Sequence, residues 1–347
     1  MKIMKIQLLR QEHESSLYSF INLLENTCQR LKGIKLVPRE TSYSYLVNPI
    51  FKYEQVFHKL LPKHYPKKVF NAILIGIDSS IKPIAESKHG YVYILCGAIV
   101  KEELPQGKKL IYRYGPLLCY LSGETALLFS RELGLSEKIL KKMFLNYVLA
   151  KKFLISTFEY FLAKYAISSA ENGSVVLIDG SLNKYMGKFN LYDTLLEGLR
   201  RRGIYLVGIA KRSRLFKLYS HVLANIVQSR VPVMIRLNDV PRRFACDNVE
   251  VYLGKLSKCG VPLRVDILRI AADGDVDSRS FVLDAIYSAA YSITGYPNVL
   301  RDAHITAKIS KAEVLGLKVY LDNLGAQFVP SFKIRDVLFG LYNKGFP

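Results

Sequence analysis

The order in which apolar residues change their period constrains this chain more than any other feature. Three short apolar runs come first, Ala72 to Asp78, Tyr91 to Val100 and Lys109 to Leu118. Their close spacing predicts an antiparallel meander. From Ser136 to Ala170 the apolar spacing becomes helical and contains no proline, which predicts one long helix started by Ser136 and Glu137. Val175 to Asp179 then shows no alternation, as expected of a strand covered on both faces. The pattern continues as helix 190–202, strand 204–210, helix 214–228 and strand 231–236. Val249 to Leu256 and Pro262 to Ile270 read as a hairpin. Further helices are predicted over 278–293, from Pro297, and from the capping box Ser310-Lys311-Ala312-Glu313 to Gly325. Upstream, residues 5–32 have helical spacing, whereas 33–70 are mixed and rich in Pro, Tyr and Lys.

Three strands, a long helix, strand, helix, strand is the ribonuclease H-like order, a mixed sheet flanked by helices. In that fold, acids on the first strand, the first helix and the fourth strand meet at one edge. The chain has 347 residues and is half hydrophobic, enough for a large core. The expected organisation is a helical or extended N-terminal region over 1–70, a core domain over 71–330 and a tail over 331–347.

Asp78 and Asp179 close two of the apolar runs, in Gly76-Ile77-Asp78-Ser79-Ser80 and Ile178-Asp179-Gly180-Ser181-Leu182. Both runs read as strands that end at the aspartate. Each aspartate alone suits a turn former equally well. Glu159 is more telling, because it is the only charge between Lys152 and Lys164. A carboxylate on such a face is costly to bury unless it is paired or holds a metal. Glu124, near a helix start, competes for the same role. Asp266 sits within a strand pattern, either as an acid of the site or as a partner of Arg264. Lys211 ends a strand, where it can meet a charged phosphate or simply face solvent. His304 faces small neighbours on the helix after Tyr296-Pro297, leaving room for a ligand.

Lys plus Arg number 50 against 29 Asp plus Glu, a formal net charge of +21. Such an excess points to a polyanion, with nucleic acid favoured over a solvated basic surface. The longest apolar stretch, Tyr91 to Val100, falls short of the ~20 residues a membrane helix needs, and the N-terminus has no signal-peptide core. The five cysteines form no C-x-x-C pair, so reduced core thiols and a cytoplasmic location are expected. Met186-Gly187-Lys188-Phe189 lacks the rest of a Walker A motif, so ATP hydrolysis is not expected.

Together, Gly76-Ile77-Asp78-Ser79-Ser80, Glu159 ahead of Asp179-Gly180-Ser181-Leu182, Gly208-Ile209-Ala210-Lys211, Arg264-Val265-Asp266 and Tyr296-Pro297 with Ala303-His304 resemble the NurA nucleases of archaea and some bacteria. The resemblance runs from about residue 72 to 325. It implies a ribonuclease H-like fold, manganese-dependent 5′-to-3′ exonuclease and single-strand endonuclease action on DNA, and a homodimer. It also implies a hexameric translocating ATPase partner, HerA, in end resection for recombinational repair. Asp78, Glu159, Asp179 and Asp266 match the family's acidic positions, and Tyr296 and His304 its later pair. The family's arginine one turn before the glutamate is absent, replaced by Ile155-Ser156-Thr157.

The expected site holds two Mn²⁺ or Mg²⁺ ions between Asp78, Asp179 and Glu159, with Asp266 and His304 completing the shell. Tyr296 and Lys211 would orient the scissile phosphate. Arg200-Arg201-Arg202 and Lys211-Arg212-Ser213-Arg214 would track single- or double-stranded DNA. The alternatives are a catalytically silent DNA-binding scaffold and a related nuclease acting on RNA or junctions.

Overall fold

The computed structural model describes residues 16–38, 63–69, 71–182, 198–200, 202–238, 240–242, 244–245, 248–268 and 276–328. Its N-terminal helix α1 (residues 16–28) is followed by short strands β1 (Lys35–Pro38) and β2 (Lys63–His64). The meander consists of β3 (Ala72–Glu86), β4 (Gly90–Leu104) and β5 (Lys108–Ser122). Helices α2 (Ala126–Leu133), α3 (Glu137–Phe144) and α4 (Tyr147–Ser169) lead to β6 (Val175–Asp179) and β7 (Tyr205–Ala210). Then come α5 (Leu215–Leu218), α6 (Ser220–Gln228), β8 (Val233–Arg236), β9 (Val249–Lys255) and β10 (Leu263–Leu268). Helices α7 (Val276–Ser288), α8 (Asn298–Thr306) and α9 (Lys311–Asn323) precede a final short strand, β11 (Gln327–Phe328).

Across the sheet the strands run β5-β4-β3-β6-β7, then β10-β9-β8-β2. β3, β4 and β5 pair antiparallel, while β3-β6 and β6-β7 pair parallel. This is the ribonuclease H-like arrangement, widened by an antiparallel hairpin, β9-β10, on β7. Helices cover both faces. One face buries Ile75, Ile77, Phe158, Val176 and Ile178 beneath α1 to α4, where Phe20 stacks on Phe161 at 4.6 Å. The other buries Leu74, Leu177, Val207, Ile209 and Val265 beneath α7 and α8. The N-terminal helix is thus part of the main core. None of the described helices is long and apolar enough to cross a membrane.

Three elements depart from the sequence expectation, the first being helix 214–228, which breaks at Tyr219 into α5 and α6. The predicted long helix is two helices, because Asn146 adopts an extended conformation and its side chain accepts from the Leu149 N–H, capping α4. Asn lacks the strong signature of Pro or Gly, so the break is silent in the apolar spacing. Likewise β3 does not end at Asp78. It continues to Glu86 because β4 pairs with it from Ala72↔Leu104 to Glu86↔Tyr91. Pro83 is tolerated there because, among the described residues, the β6 side of β3 has no strand partner between Ile77 and Ala85. The Ser310–Glu313 capping box and the helix begun at Pro297 form as expected. Helix 190–202 and Met186-Gly187-Lys188 lie largely or wholly outside the described residues.

Candidate metal centre

Strand register builds the site. Pairing of Ile77 with Ile178 between parallel strands brings Asp78 beside Asp179, with both side chains on the face that α8 covers. α8 is brought against β3 by a glycine. A Cβ on Gly76 would lie 2.5 Å from the Val299 backbone and 2.9 Å from Leu300 N, so only a bare backbone fits. Further along the same face, Ser80 Oγ donates to the Ala307 carbonyl and Lys82 Nζ donates to the Ile309 carbonyl at 2.6 Å. These contacts bring the exposed His304 to the strand, with Nδ1 2.6 Å from Asp78 Oδ2.

Asp78, Asp179 and His304 each offer one ligand atom, and these atoms all lie within 4.8 Å of one another. Lys211, two residues past Ile209 on the same face, places Nζ 3.0 Å from Asp179 Oδ2 and 4.1 Å from the centre of the Tyr296 ring. Among the described residues the buried Tyr296 hydroxyl makes no hydrogen bond of good geometry, although Asp179 is close enough to act on it. Burial first, then Asp179 and Asp78, push its pKa far up, so it stays protonated. Burial also raises the Asp78 carboxyl to about 6, helped by Asp179 and Glu159 and opposed by the His304 and Ser79 hydrogen bonds. Two crowded carboxylates, an imidazole and a buried hydroxyl fit a hard divalent cation, which would offset the burial and the repulsion that lift Asp78.

The NurA domain profile matches residues 73–309, more than half of the chain. The chain belongs to the NurA nuclease family. Among solved structures, the NurA nuclease from Sulfolobus solfataricus aligns at 17% identity over 74% of this chain and 88% of its own, with a TM-score of 0.45. A second NurA structure aligns at 11% identity over 80% and 92%, TM-score 0.46. A NurA bound to dAMP and manganese aligns at 11% identity over 83% and 92%, TM-score 0.45. No curated protein sequence matches the chain.

The sheet divides the seven residues singled out in the sequence. Asp78, Asp179, Lys211, Tyr296 and His304 share the α8 face. Glu159 and Asp266 are on the α4 face. Glu159 is 3% exposed and accepts from Ser79 Oγ at 2.9 Å, and Ser79 N donates to Asp78 Oδ1 at 2.8 Å. Gly97, opposite Ser79 in β4, admits α4 to this point, because a Cβ there would strike Leu162 and Phe158. Glu124 is exposed beyond the far end of β5, so Glu159 is the helix acid near Asp78. Asp266 is fully buried. Arg264 Nε donates to its Oδ1 at 2.6 Å, and Ser181 Oγ and Leu182 N donate to its Oδ2 at 2.8 and 3.0 Å.

Ser79 was not singled out by sequence reasoning. The Ser-Ser pair after Asp78 looked like turn chemistry, and only the strand register reveals which hydroxyl meets Glu159. The basic clusters also separate. Arg202 donates to the Ile167, Ser168 and Ala170 carbonyls at the end of α4, so it caps a helix instead of facing solvent. Arg212 and Arg214 are exposed. Three of the cysteines, Cys28, Cys96 and Cys119, are buried free thiols, whereas Cys259 is exposed.

Proposed function

We propose that this chain is a DNA nuclease dependent on Mn²⁺ or Mg²⁺, with Asp78, Asp179 and His304 as the protein ligands. The meeting of these three side chains within 4.8 Å, in a NurA-family chain, carries the reading. Asp78, Asp179 and His304 would hold the cation, which would supply polarisation of a phosphate oxygen and a lowered pKa for a bound water. The chain's own groups do the rest. Asp78 and Asp179 supply hard anionic oxygens, and Asp78 also takes the hydrogen bond that fixes the His304 ring. Tyr296, held protonated, meets an anionic oxygen as a donor. Lys211, braced on the Tyr296 ring, offers an ammonium to a phosphate next to Asp179. Glu159 braces β3 through Ser79 and adds negative potential at Asp78.

The fuller activity we propose is 5′-to-3′ exonuclease and single-strand endonuclease action by a homodimer, with two ions per site. A HerA-type hexameric ATPase supplies DNA during end resection. The +21 charge supports a DNA substrate and the family supports the partner. Cleavage of end-labelled single- and double-stranded DNA with Mn²⁺, with EDTA, and with and without the translocase tests this. Wild type should cut and Asp78→Ala should not. Equal activity of the two would remove the site, and binding without cleavage by wild type would make the chain a scaffold. Preferential cutting of RNA or junctions would reassign the substrate.

A further inference from the structure

Asp266 lies on the face turned away from the ion-binding side and is fully buried, yet one of its oxygens takes both donors of the turn that follows Asp179. It is paired across the sheet with Gly208 in the register of β10 and β7. On the face where Gly208 has no side chain, the turn that follows Asp179 folds down onto the sheet. A Cβ at Gly208 would lie 2.6 Å from the Gly180 carbonyl oxygen and 2.9 Å from Leu182 N. The turn therefore rests on the bare backbone of one strand. It is tied to the carboxylate of the next by the Ser181 hydroxyl and the Leu182 N–H. Gly180, at φ 122, makes the bend that this descent requires, and its N–H is held by the Ile209 carbonyl at 2.8 Å.

The other oxygen of Asp266 is held by Arg264, itself 4% exposed, whose second nitrogen donates to the Phe244 carbonyl at 2.6 Å. A buried ion pair of this kind is poor evidence of stability, since apolar residues of similar volume often do as well. Its use is geometric. With Arg264 fixing one oxygen, the other has a single orientation, which sets the height of the turn and with it the direction in which Asp179 leaves β6.

We infer that Asp266 is a positioning residue for Asp179, acting through the Ser181–Leu182 turn from the opposite face of the sheet, and that it does not contact the ion. This inference rests on the metal-site reading proposed above. It predicts that two changes that leave the carboxylate in place should share its effect. Ser181→Ala removes one tie and leaves the Arg264–Asp266 pair whole. Gly208→Ala pushes the same turn off the sheet from below.

Mn²⁺ binding by isothermal calorimetry, run beside thermal melts in EDTA, tests the assignment without recourse to activity. Outer groups that orient a ligand typically change metal affinity 10- to 100-fold. Ser181→Ala and Gly208→Ala should each weaken Mn²⁺ binding by roughly tenfold, and cleavage should recover at saturating Mn²⁺. Asp266→Asn should weaken binding at least as much, with a lower melting temperature because Arg264 loses its partner. Should Asp266→Asn fail to fold, the two milder variants still decide the matter. Unchanged Mn²⁺ affinity in both Ser181→Ala and Gly208→Ala would overturn the inference. No Mn²⁺ uptake by wild type would instead overturn the metal-site reading on which it stands.

Discussion

Replacing Asp78 by Asn should make the metal-free protein more stable while abolishing its use of metal. The carboxyl of Asp78 is raised from 3.8 to about 6, chiefly by burial and then by Asp179. A raised acid holds its proton more tightly folded than unfolded. Its ionisation therefore costs stability as pH climbs from about 4 to about 6, and the whole cost is present at pH 7. At 1.36 kcal/mol per pKa unit the cost is on the order of 3 kcal/mol. Asparagine mimics the protonated form and avoids it. In EDTA at pH 7.5, Asp78→Asn should melt a few degrees above wild type. At pH 4.5, where the wild-type carboxyl is already protonated in the fold, the gain should shrink to roughly a third. Adding Mn²⁺ should raise the wild-type melting temperature, because a ligand of the folded state alone stabilises it by mass action. It should leave Asp78→Asn nearly unmoved. Differential scanning fluorimetry over this pH and metal grid reads all four corners. A lower melting temperature for Asp78→Asn in EDTA at both pH values, or equal Mn²⁺ shifts in both proteins, would refute the reasoning.

Other outcomes follow from single contacts. Tyr296→Phe removes a buried hydroxyl with no good partner, so stability should hold or rise by about 1 kcal/mol while cleavage falls roughly 100-fold; denaturant melts and single-turnover rates check this. Gly76→Ala forces α8 away from β3 and should cost about 1–3 kcal/mol along with activity, because His304 moves with the helix. Lys211→Ala should lower the slope of log affinity against log salt for single-stranded DNA by ~0.7, if that ammonium meets a phosphate; fluorescence anisotropy at several salt concentrations measures it. Asn146→Ala should cost about 1 kcal/mol and leave metal binding intact, since it affects only the cap of α4.

The alternation of apolar runs was enough to order the sheet and its covering helices. The β9-β10 hairpin, the Pro297 start and the Ser310 capping box were equally readable, because each has a local chemical cause. The length of β3 was not, because its second half reads Ser-Ser-Ile-Lys-Pro and becomes a strand only through pairing with β4. The candidate site was legible as a list of residues but not as a geometry. Strand parity places Asp78 and Asp179 on one face, yet parity for Glu159 depends on which side α4 packs, and for Asp266 on the register of β10 with β7. Both are tertiary facts. The Ser79–Glu159 and Ser181–Asp266 bonds belong to the same class, since their partners lie 80 and 85 positions apart.

The claim that matters most is that Asp78, Asp179 and His304 hold one divalent cation between them. Titrating Mn²⁺ into wild type and Asp179→Ala, and reading free ion by electron paramagnetic resonance, tests it without DNA. Wild type should take up Mn²⁺ saturably, and Asp179→Ala should leave the signal that of free ion across the same range. Equal uptake by both proteins would contradict the account.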